Sequence, residues 1–169
     1  MIFETERLVI RKLLMKDLES FFELESNPKV LQYATGEVKT LLECENELDK
    51  LIKMYDDPKN DFWIYAIETK EESEFIGTVA LVKDEEGNDE IGYRFIERFW
   101  GKRYATETCA GLISYCEEIG IKKIIGNVVN ENKASELILL KNGFRKIKEF
   151  ISEDIGLPET KYELIYKKK

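Results

Sequence analysis

"ERFWGKRYATET", residues 97–108, begins a predicted amphipathic helix that carries cations where helices usually carry acids. The two cations are Lys102 and Arg103. Because the N-terminus of a helix already bears partial positive charge, a cation there costs roughly 0.3–1 kcal/mol unless something offsets it. The segment therefore raises the question of what supplies the offset.

The flanking patterns put this segment between two strands. The hydrophobic periods predict a strand at 89–96, a helix at about 103–119 and a strand at 122–130. A connection of this length between successive strands favours a parallel crossover. The segment then lies at the carboxyl end of a strand, where ligands tend to bind in open α/β sheets.

A bound anion is one interpretation of the cationic helix start. Free backbone N–H groups, the helix dipole and two cations favour a phosphate, and Gly101 lets the main chain come close to it. The spacing is equally compatible with a helix that begins later, with Thr106 as its N-cap and Glu107 at its first position. In that alternative Lys102 and Arg103 are solvated loop residues.

The rest of the chain changes hydrophobic period repeatedly, which predicts a single α+β domain over 1–169. The central strands form an expected antiparallel meander that leads into the crossover. Ahead of 89–96 we predict strands at 7–14, 61–69 and 74–82 and helices at 16–26 and 40–57; after 130 we predict a helix at about 133–142 and strands near 144–151 and 160–167.

Composition limits the functional classes. The 169 residues are 43% hydrophobic and 36% charged, and 26 bases against 34 acids give a net charge of −8, which disfavours a nucleic-acid binder that works by bulk charge. The three cysteines cannot all pair within one chain and lack zinc-ribbon spacing. The chain shows no leader pattern and no apolar run near ~20 residues, so we expect a cytoplasmic protein without a membrane span.

Histidine is absent from the sequence. Its absence removes Ser-His and Cys-His nucleophile pairs and every His-ligated metal site, and we expect no metal. Proton chemistry must then use carboxylate, hydroxyl, thiol, amine or water. A plain binding module would satisfy the same composition.

"FWGKRYATET" resembles the acyl-CoA pyrophosphate loop, Q/R-x-x-G-x-G/A, of the GCN5-related N-acetyltransferase (GNAT) family. It is most similar to the RimJ/RimL branch, which acetylates ribosomal-protein N-termini and commonly reads W-G-K-G-Y-A-T-E-A. Further similar segments follow in the family's order: "TERLVIRKL" (5–13), "FWIYAIE" (62–68), "FIGTVAL" (75–81), "EIGYRF" (90–95) and "NENKASELILLKNGF" (130–144). The resemblance implies a GNAT-like mixed, twisted sheet of about seven strands with helices on both faces.

The resemblance also implies acetyl-coenzyme A as donor and direct transfer to an amine, either a protein N-terminus or a small molecule, without an acyl-enzyme. One departure is Arg103, which stands at the family's central glycine and bears on coenzyme affinity. Asn132 is also expected to cap the helix from Lys133. The implied coenzyme-binding residues are Arg94, Phe95, Ile96, Trp100, Gly101, Lys102, Arg103, Tyr104, Ala105, Thr106, Asn127 and Asn132.

An acceptor amine must lose a proton before it attacks, and Glu90 is the candidate base. Strand alternation puts Glu90, Gly92 and Arg94 on one face, and a carboxylate can act as the base if burial raises its pKa. The alternative is an exposed glutamate without a role. Backbone N–H groups near Phe95 are candidate oxyanion donors.

The proton donor for the leaving thiolate is less defined. Many relatives carry a tyrosine where this chain has Leu139, and Ser135 either donates a proton, orients water or bonds the backbone in the first helical turn. Leu139 and Arg103 suggest the alternative of a non-catalytic acyl-CoA-binding module. A third class is a structural partner that uses the 40–57 helix. A homodimer is the default expectation for a small enzyme.

Aromatic side chains are candidates for the acceptor pocket, although aromatics at strand or helix spacing are more often core residues. The candidates are Tyr33, Trp63 and Tyr65, with Phe22 beside them.

Overall fold

A computed structural model describes residues 1–168, which form one sheet in the order β1-β2-β3-β4-β5-β6-β8-β7. The strands are β1 (Phe3–Glu4), β2 (Leu8–Lys12), β3 (Phe62–Thr69), β4 (Phe75–Lys83), β5 (Asp89–Phe95), β6 (Lys123–Val129), β7 (Arg145–Ile151) and β8 (Pro158–Ile165). The α+β fold is confirmed, with eight strands in this part of the chain rather than about seven. The additional strand is β1, whose two residues are too few to show a period.

Four of the helices begin and end close to the predicted residues, and the four-residue helix α2 was not predicted. They are α1 (Leu18–Glu25), α2 (Pro28–Leu31), α3 (Leu41–Met54), α4 (Tyr104–Glu118) and α5 (Lys133–Lys141), with short 3-10 turns at Met15–Asp17 and Glu97–Phe99. Thr40 caps α3 by accepting a hydrogen bond from the Glu43 N–H at 3.2 Å. Asn132 caps α5 as predicted, and Gly143 (φ 89°) provides the left-handed residue that follows this helix.

The sheet changes direction between β5 and β6. Strands β2 to β5 form the predicted antiparallel meander, and β5 pairs with β6 in parallel, with α4 between them in the chain. This pairing is limited to Asp89 with Ile124 and Glu90 with Ile125. Because β6 stays paired with β8 along its whole length, a gap opens between β5 and β6 beyond Glu90. We call it the β5/β6 gap.

Helices cover both faces of the sheet, as predicted. On one face the buried Glu25 of α1 accepts a hydrogen bond from Arg94 of β5, with Nη1 to Oε1 at 3.0 Å. On the other face Leu139 of α5 packs so closely on Gly126 of β6 that an added Cβ there would lie 3.0 Å from Leu139 Cδ1. We name these the α1/α3 face and the α4/α5 face.

Candidate active site

The loop before α4 has two left-handed residues. Gly101 has φ 77° and Arg103, the N-cap of α4, has φ 62°. The helix begins at Tyr104, so the alternative with Thr106 as N-cap is wrong. Left-handed backbone costs a residue with a side chain about 1 kcal/mol, which explains why the family has glycine where this chain has Arg103.

This loop presents free amides. Within residues 1–168, none of the main-chain N–H groups at positions 101–106 donates a hydrogen bond to another residue. The first turn of a helix has no preceding carbonyls to bond, and a Cβ added to Gly101 would meet nothing within 4 Å. Free N–H groups at a helix N-terminus with room in front of them fit a phosphate, and therefore fit the diphosphate of coenzyme A.

A clamp from the N-terminal segment fixes the loop. Both Arg7 Nη atoms lie 3.1 Å from the Lys102 carbonyl oxygen, and Arg7 Nε donates to Glu107 Oε2 at 2.6 Å. The Thr5 hydroxyl and the Arg7 main-chain N–H both donate to Glu107 Oε1. Burial opposes ionisation of Glu107, but these hydrogen bonds outweigh it and lower its pKa. The Arg7 guanidinium also lies 4.4 Å from the centre of the Tyr104 ring.

The peptide groups along the gap can be assigned from strand parity. The Ile96 N–H bonds the Ile76 carbonyl of the neighbouring segment, so even-numbered residues of β5 bond β4, and the main-chain groups of Tyr93 and Phe95 face β6. The Asn130 N–H bonds the Pro158 carbonyl, so even-numbered residues of β6 bond β8. The main chain of Asn127, an odd-numbered residue, therefore faces β5. In the part of the chain that the structure describes, the main chains of Tyr93 and Asn127 and the Phe95 N–H therefore line the gap without a strand partner, whereas the Phe95 carbonyl accepts a hydrogen bond from Trp100 Nε1.

Glu90 lies at the closed end of the gap on the α1/α3 face. It is half-buried, and its Oε1 accepts a hydrogen bond from Asn127 Nδ2 at 3.2 Å. Burial raises the pKa of Glu90, and the charge of Asp84 raises it further. The Asn127 hydrogen bond and the charge of Lys161 act in the opposite direction, and the net pKa is raised.

A second carboxylate, Glu159, lies on the same face. It is half-buried, and burial together with the charges of Glu90 and Asp154 raises its pKa. In the described chain its carboxylate has neither a hydrogen-bond donor nor an ion-pair partner. Gly92 pairs with Ala80 of β4, and a Cβ added at Gly92 would contact only Ala80 Cβ, at 3.9 Å, so the strand surface beside Glu90 carries little side-chain bulk.

The α2–α3 segment and the β7–β8 turn contact each other. A Cβ added to Gly36, in the segment between α2 and α3, would lie 3.4 Å from Ile155 Cγ2 in the β7–β8 turn. The α2–α3 segment is tied down by Lys39, whose main-chain N–H bonds the Glu25 carbonyl and whose ammonium pairs with the Glu25 carboxylate. Tyr33 belongs to this segment and is half-buried.

Several predicted site residues are not brought together with Glu90. Tyr65 and Trp63 pair with Val79 and Leu81, so their side chains share the α4/α5 face; Tyr65 is a buried core residue, and both stack on Tyr55. Their placement does not favour an acceptor-pocket role. Phe22 packs against the core.

The coenzyme candidates divide into two sets. Positions 100–106 form the loop itself, with Trp100 Nε1 donating to the Phe95 carbonyl at 2.9 Å. Arg94 instead points to Glu25 on the opposite face, and the Ile96 N–H is occupied by Ile76. The Arg94 side chain and the Ile96 N–H therefore already have partners within the fold.

The residues considered as proton donors to the leaving thiolate lie on the α4/α5 face. Ser135 donates its main-chain N–H to Asn132 Oδ1 at 3.3 Å, and its side chain lies next to that of Tyr93, whose pKa is raised by burial. Leu139 is buried against Gly126, which leaves no ionisable group at that position.

Sequence comparison shows where this combination of features is found. Residues 7–145 match the acetyltransferase (GNAT) domain family. The chain belongs to this family. A relative named uncharacterized N-acetyltransferase YoaA, from Bacillus subtilis strain 168, is 30% identical over 149 residues, which cover 86% of this chain and 83% of the relative.

Solved GNAT structures have the same fold. A GNAT-family acetyltransferase from Bacillus anthracis superposes with a TM-score of 0.83 at 25% identity, over 96% of this chain and 97% of that one. RimL, a ribosomal L7/L12 alpha-N-protein acetyltransferase solved with coenzyme A, superposes with a TM-score of 0.80 at 17% identity, over 95% of both chains.

The GNAT assignment makes this protein an acetyl-CoA-dependent acyltransferase. Residues 1–168 contain no group of three or more side chains arranged to hold a metal ion. Over the same range, no helix has the length and apolar character needed to cross a bilayer.

Sequence reasoning missed the clamp and the Asn127 contact. The clamp residues Thr5 and Arg7 were visible only as part of "TERLVIRKL", and nothing in that segment points to Glu107, a hundred residues away in the chain. The hydrogen bond between Asn127 and Glu90 depends on the parallel pairing of β5 and β6, which a sequence pattern leaves without a register.

Proposed function

We propose that this GNAT protein moves an acetyl group from acetyl-coenzyme A directly to a primary amine, with Glu90 as the general base. The observation that carries the proposal is the β5/β6 gap, which has free amides of the α4 loop at its open end and a half-buried carboxylate at its closed end. The acceptor is a protein N-terminus or a small-molecule amine.

Coenzyme A fits the open end through main-chain groups. The N–H groups at 101–106 suit the diphosphate, with Lys102 and Arg103 adding positive charge. The unpaired main chains of Tyr93 and Asn127 suit the amides of the pantetheine arm, since each offers both a donor and an acceptor. The free carboxamide nitrogen of Asn132, at the start of α5, is a further donor. Acetyl-coenzyme A supplies the activated acyl group.

Glu90 serves as base because the acceptor arrives as an ammonium ion. A lysine-type amine has a pKa near ~10 and an α-amine near ~8, so a proton must leave before the nitrogen attacks. The raised pKa of Glu90 brings its basicity nearer to that of the amine. The Phe95 N–H, which faces the gap, is the donor for the developing oxyanion.

Ser135 is the group we assign to the departing thiolate. Its hydroxyl lies on the α4/α5 face together with Tyr93, and either a direct proton transfer or an oriented water fulfils the requirement. Leu139 cannot take this role because its side chain carries no proton donor.

The test measures thiol release from acetyl-coenzyme A with a panel of primary amines that includes α-amino peptides, lysine side-chain analogues and diamines. We expect release with at least one primary amine and none with its trimethylated counterpart. Glu90→Gln should lower kcat by roughly 10²–10⁴-fold while the coenzyme A Kd, measured by calorimetry, stays unchanged.

Three outcomes would contradict the proposal. Coenzyme binding without release for any amine would support a non-catalytic module. Equal losses of turnover and coenzyme affinity in Glu90→Gln would remove Glu90 from the role of base. No coenzyme binding at all would support a structural partner protein.

A further inference from the structure

Asn127 combines an occupied donor with a buried, unoccupied acceptor. Its Nδ2 donates to Glu90 Oε1 at 3.2 Å. A carboxylate can only accept, so this contact fixes the amide with its nitrogen toward Glu90 and its oxygen turned away. Within the described chain Asn127 Oδ1 is buried and has no hydrogen-bond partner. Such an atom costs free energy unless something donates to it.

The position of Asn127 explains what could reach that oxygen. In the register of β5 with β6, Glu90 pairs with Ile125, so Asn127 lies two residues beyond the last pair, where the gap has opened. The residue of β5 that would face it in continued register is Gly92, which has no side chain to fill the space. A Cβ at Gly92 would contact only Ala80, at 3.9 Å. A small group that entered between β5 and β6 beside Glu90 would therefore have two oxygen acceptors, the Glu90 carboxylate and Asn127 Oδ1.

We propose that Asn127 both positions the Glu90 carboxylate and binds the acceptor amine, with Oδ1 accepting one N–H of the amine while Glu90 takes the proton from another. This inference rests on the proposed role of Glu90 as base. A primary ammonium has three N–H donors, so one can be held by Asn127 and one transferred, and the nitrogen lone pair freed by the transfer attacks the acyl carbon. The C–N bond forms as the C–S bond of the thioester breaks. The first proton leaves on Glu90, and the second, lost from the nitrogen as the amide forms, neutralises the departing thiolate, so no other reactant is required.

The charges around Glu90 set the expected pH behaviour. Asp84 faces it from the β4–β5 turn, Lys161 and Glu159 face it from β8, and Asn127 is its neighbour on β6. The base must be ionised, so kcat/KM rises with pH as Glu90 loses its proton. The rising part of the kcat/KM profile at low pH is its acidic limb. Because the Asn127 hydrogen bond stabilises ionised Glu90, removing it raises the pKa of Glu90 and moves this acidic limb to higher pH.

Two substitutions separate the two roles. Asn127→Leu removes donor and acceptor, so we expect the acidic limb to move up by roughly half a pH unit and the KM for the amine to rise about tenfold. Asn127→Asp keeps an acceptor oxygen and loses the donor. It should move the limb up at least as far while the KM for the amine, measured above the limb, stays near the wild-type value. The acetyl-CoA KM should be unchanged in both.

Asn130→Leu is the matched control. Asn130 follows β6 directly and is also half-buried, but its Oδ1 already accepts a hydrogen bond from the Thr160 hydroxyl at 2.6 Å. Its replacement can lower thermal stability but should leave the acidic limb and the amine KM where they are. Circular dichroism and thermal unfolding of every variant check that the fold is retained.

The outcomes distinguish this inference from the proposed function. If Glu90→Gln keeps its acidic limb and its turnover, the role of Glu90 as base fails. If Glu90→Gln loses turnover but neither Asn127 variant moves the limb or the amine KM, Glu90 remains the base and the inference about Asn127 is wrong. Equal rises in amine KM for Asn127→Leu and Asn127→Asp would overturn the amine contact alone.

Discussion

The two ends of the β5/β6 gap differ in the groups that they present, main-chain groups at one end and side chains at the other. At the end proposed for coenzyme A, the available groups are main-chain N–H groups of a loop whose shape is fixed by Arg7 and Glu107. At the end proposed for the acceptor they are side chains, chiefly Glu90, Asn127 and Glu159. The conformation of the loop depends on hydrogen bonds from the N-terminal segment, whereas the raised pKa values of the carboxylates depend on their burial against the sheet.

This difference suits one end to a ligand that stays the same and the other end to a ligand that varies. A backbone cradle tolerates almost any side chain that permits its dihedral angles, so it suits one unchanging ligand, coenzyme A. A side-chain site changes with each substitution, so it suits acceptors that differ among relatives. Variants at one end should therefore leave the other end unaffected.

Arg7→Met should weaken the coenzyme end most. It removes both hydrogen bonds to the Lys102 carbonyl and the ion pair with Glu107, and we expect the coenzyme A Kd to rise about tenfold, which is about 1.4 kcal/mol. Because the Arg7 side chain is 44% exposed, water replaces part of what is lost. Calorimetry with coenzyme A measures the effect, and kcat at saturating acetyl-CoA should change less than twofold.

Arg98→Met is the control for charge at this end. Arg98 is also exposed and close in sequence, but it pairs with Glu23 and Glu74 instead of the loop. An equal loss of affinity in both variants would mean that bulk charge, and not the clamp, governs coenzyme binding.

Arg103→Gly tests the left-handed cap and should have a smaller effect. Relief of the backbone strain at φ 62° should raise the free energy of unfolding by about 0.5–1 kcal/mol. Loss of one cation near the diphosphate should weaken coenzyme binding by only about threefold, because the main-chain contacts remain. Thermal unfolding and calorimetry separate the two effects.

Ser73→Gly provides the comparison. Ser73 is the other non-glycine residue with positive φ in the described chain, at 53°, and it lies in the turn between β3 and β4. It should show a similar gain in stability with no change in the coenzyme Kd. A large loss of coenzyme binding in Arg103→Gly alone would show that the guanidinium, and not the backbone, carries the affinity.

The predictability of the two ends from sequence follows the same division. The structure of the loop proposed to bind coenzyme A was predictable, because glycine, cations and a helix start are local features, and Trp100 to Thr106 lie together in the chain. The acceptor end was only partly predictable. Strand alternation placed Glu90 and Arg94 on one face, but the partners of Glu90 come from β6 and β8, and their register depends on long-range pairing.

The aromatic prediction was limited for a related reason. Trp63 and Tyr65 have the spacing expected for either a pocket or a core, and only the register with β4 shows that they lie on the face opposite Glu90. Likewise β1 and the clamp became visible only when the N-terminal segment was seen against α4. Distances in sequence of about a hundred residues leave no local signal.

Charges outside the reacting groups shift the pKa of Glu90 at the acceptor end, and two of them shift it in opposite directions. Asp84 is held ionised, because hydrogen bonds from Asn88 and Glu86 outweigh the effect of burial and lower its pKa. Its negative charge raises the pKa of Glu90, whereas Lys161 lowers it. Asp84→Asn should therefore move the acidic limb of kcat/KM to lower pH by a few tenths of a unit, and Lys161→Met should move it to higher pH by about as much.

Neither variant should alter the coenzyme A Kd, because both residues lie at the closed end of the gap and the loop lies at the open end. The two shifts must differ in sign if Glu90 is the titrating base. Shifts of the same sign would mean that the limb reports loss of structure. No shift in either variant would mean that the acidic limb reports another group, such as the amine itself, whose titration these charges do not affect. The acceptor end would then lack the electrostatic coupling that distinguishes it from the coenzyme end.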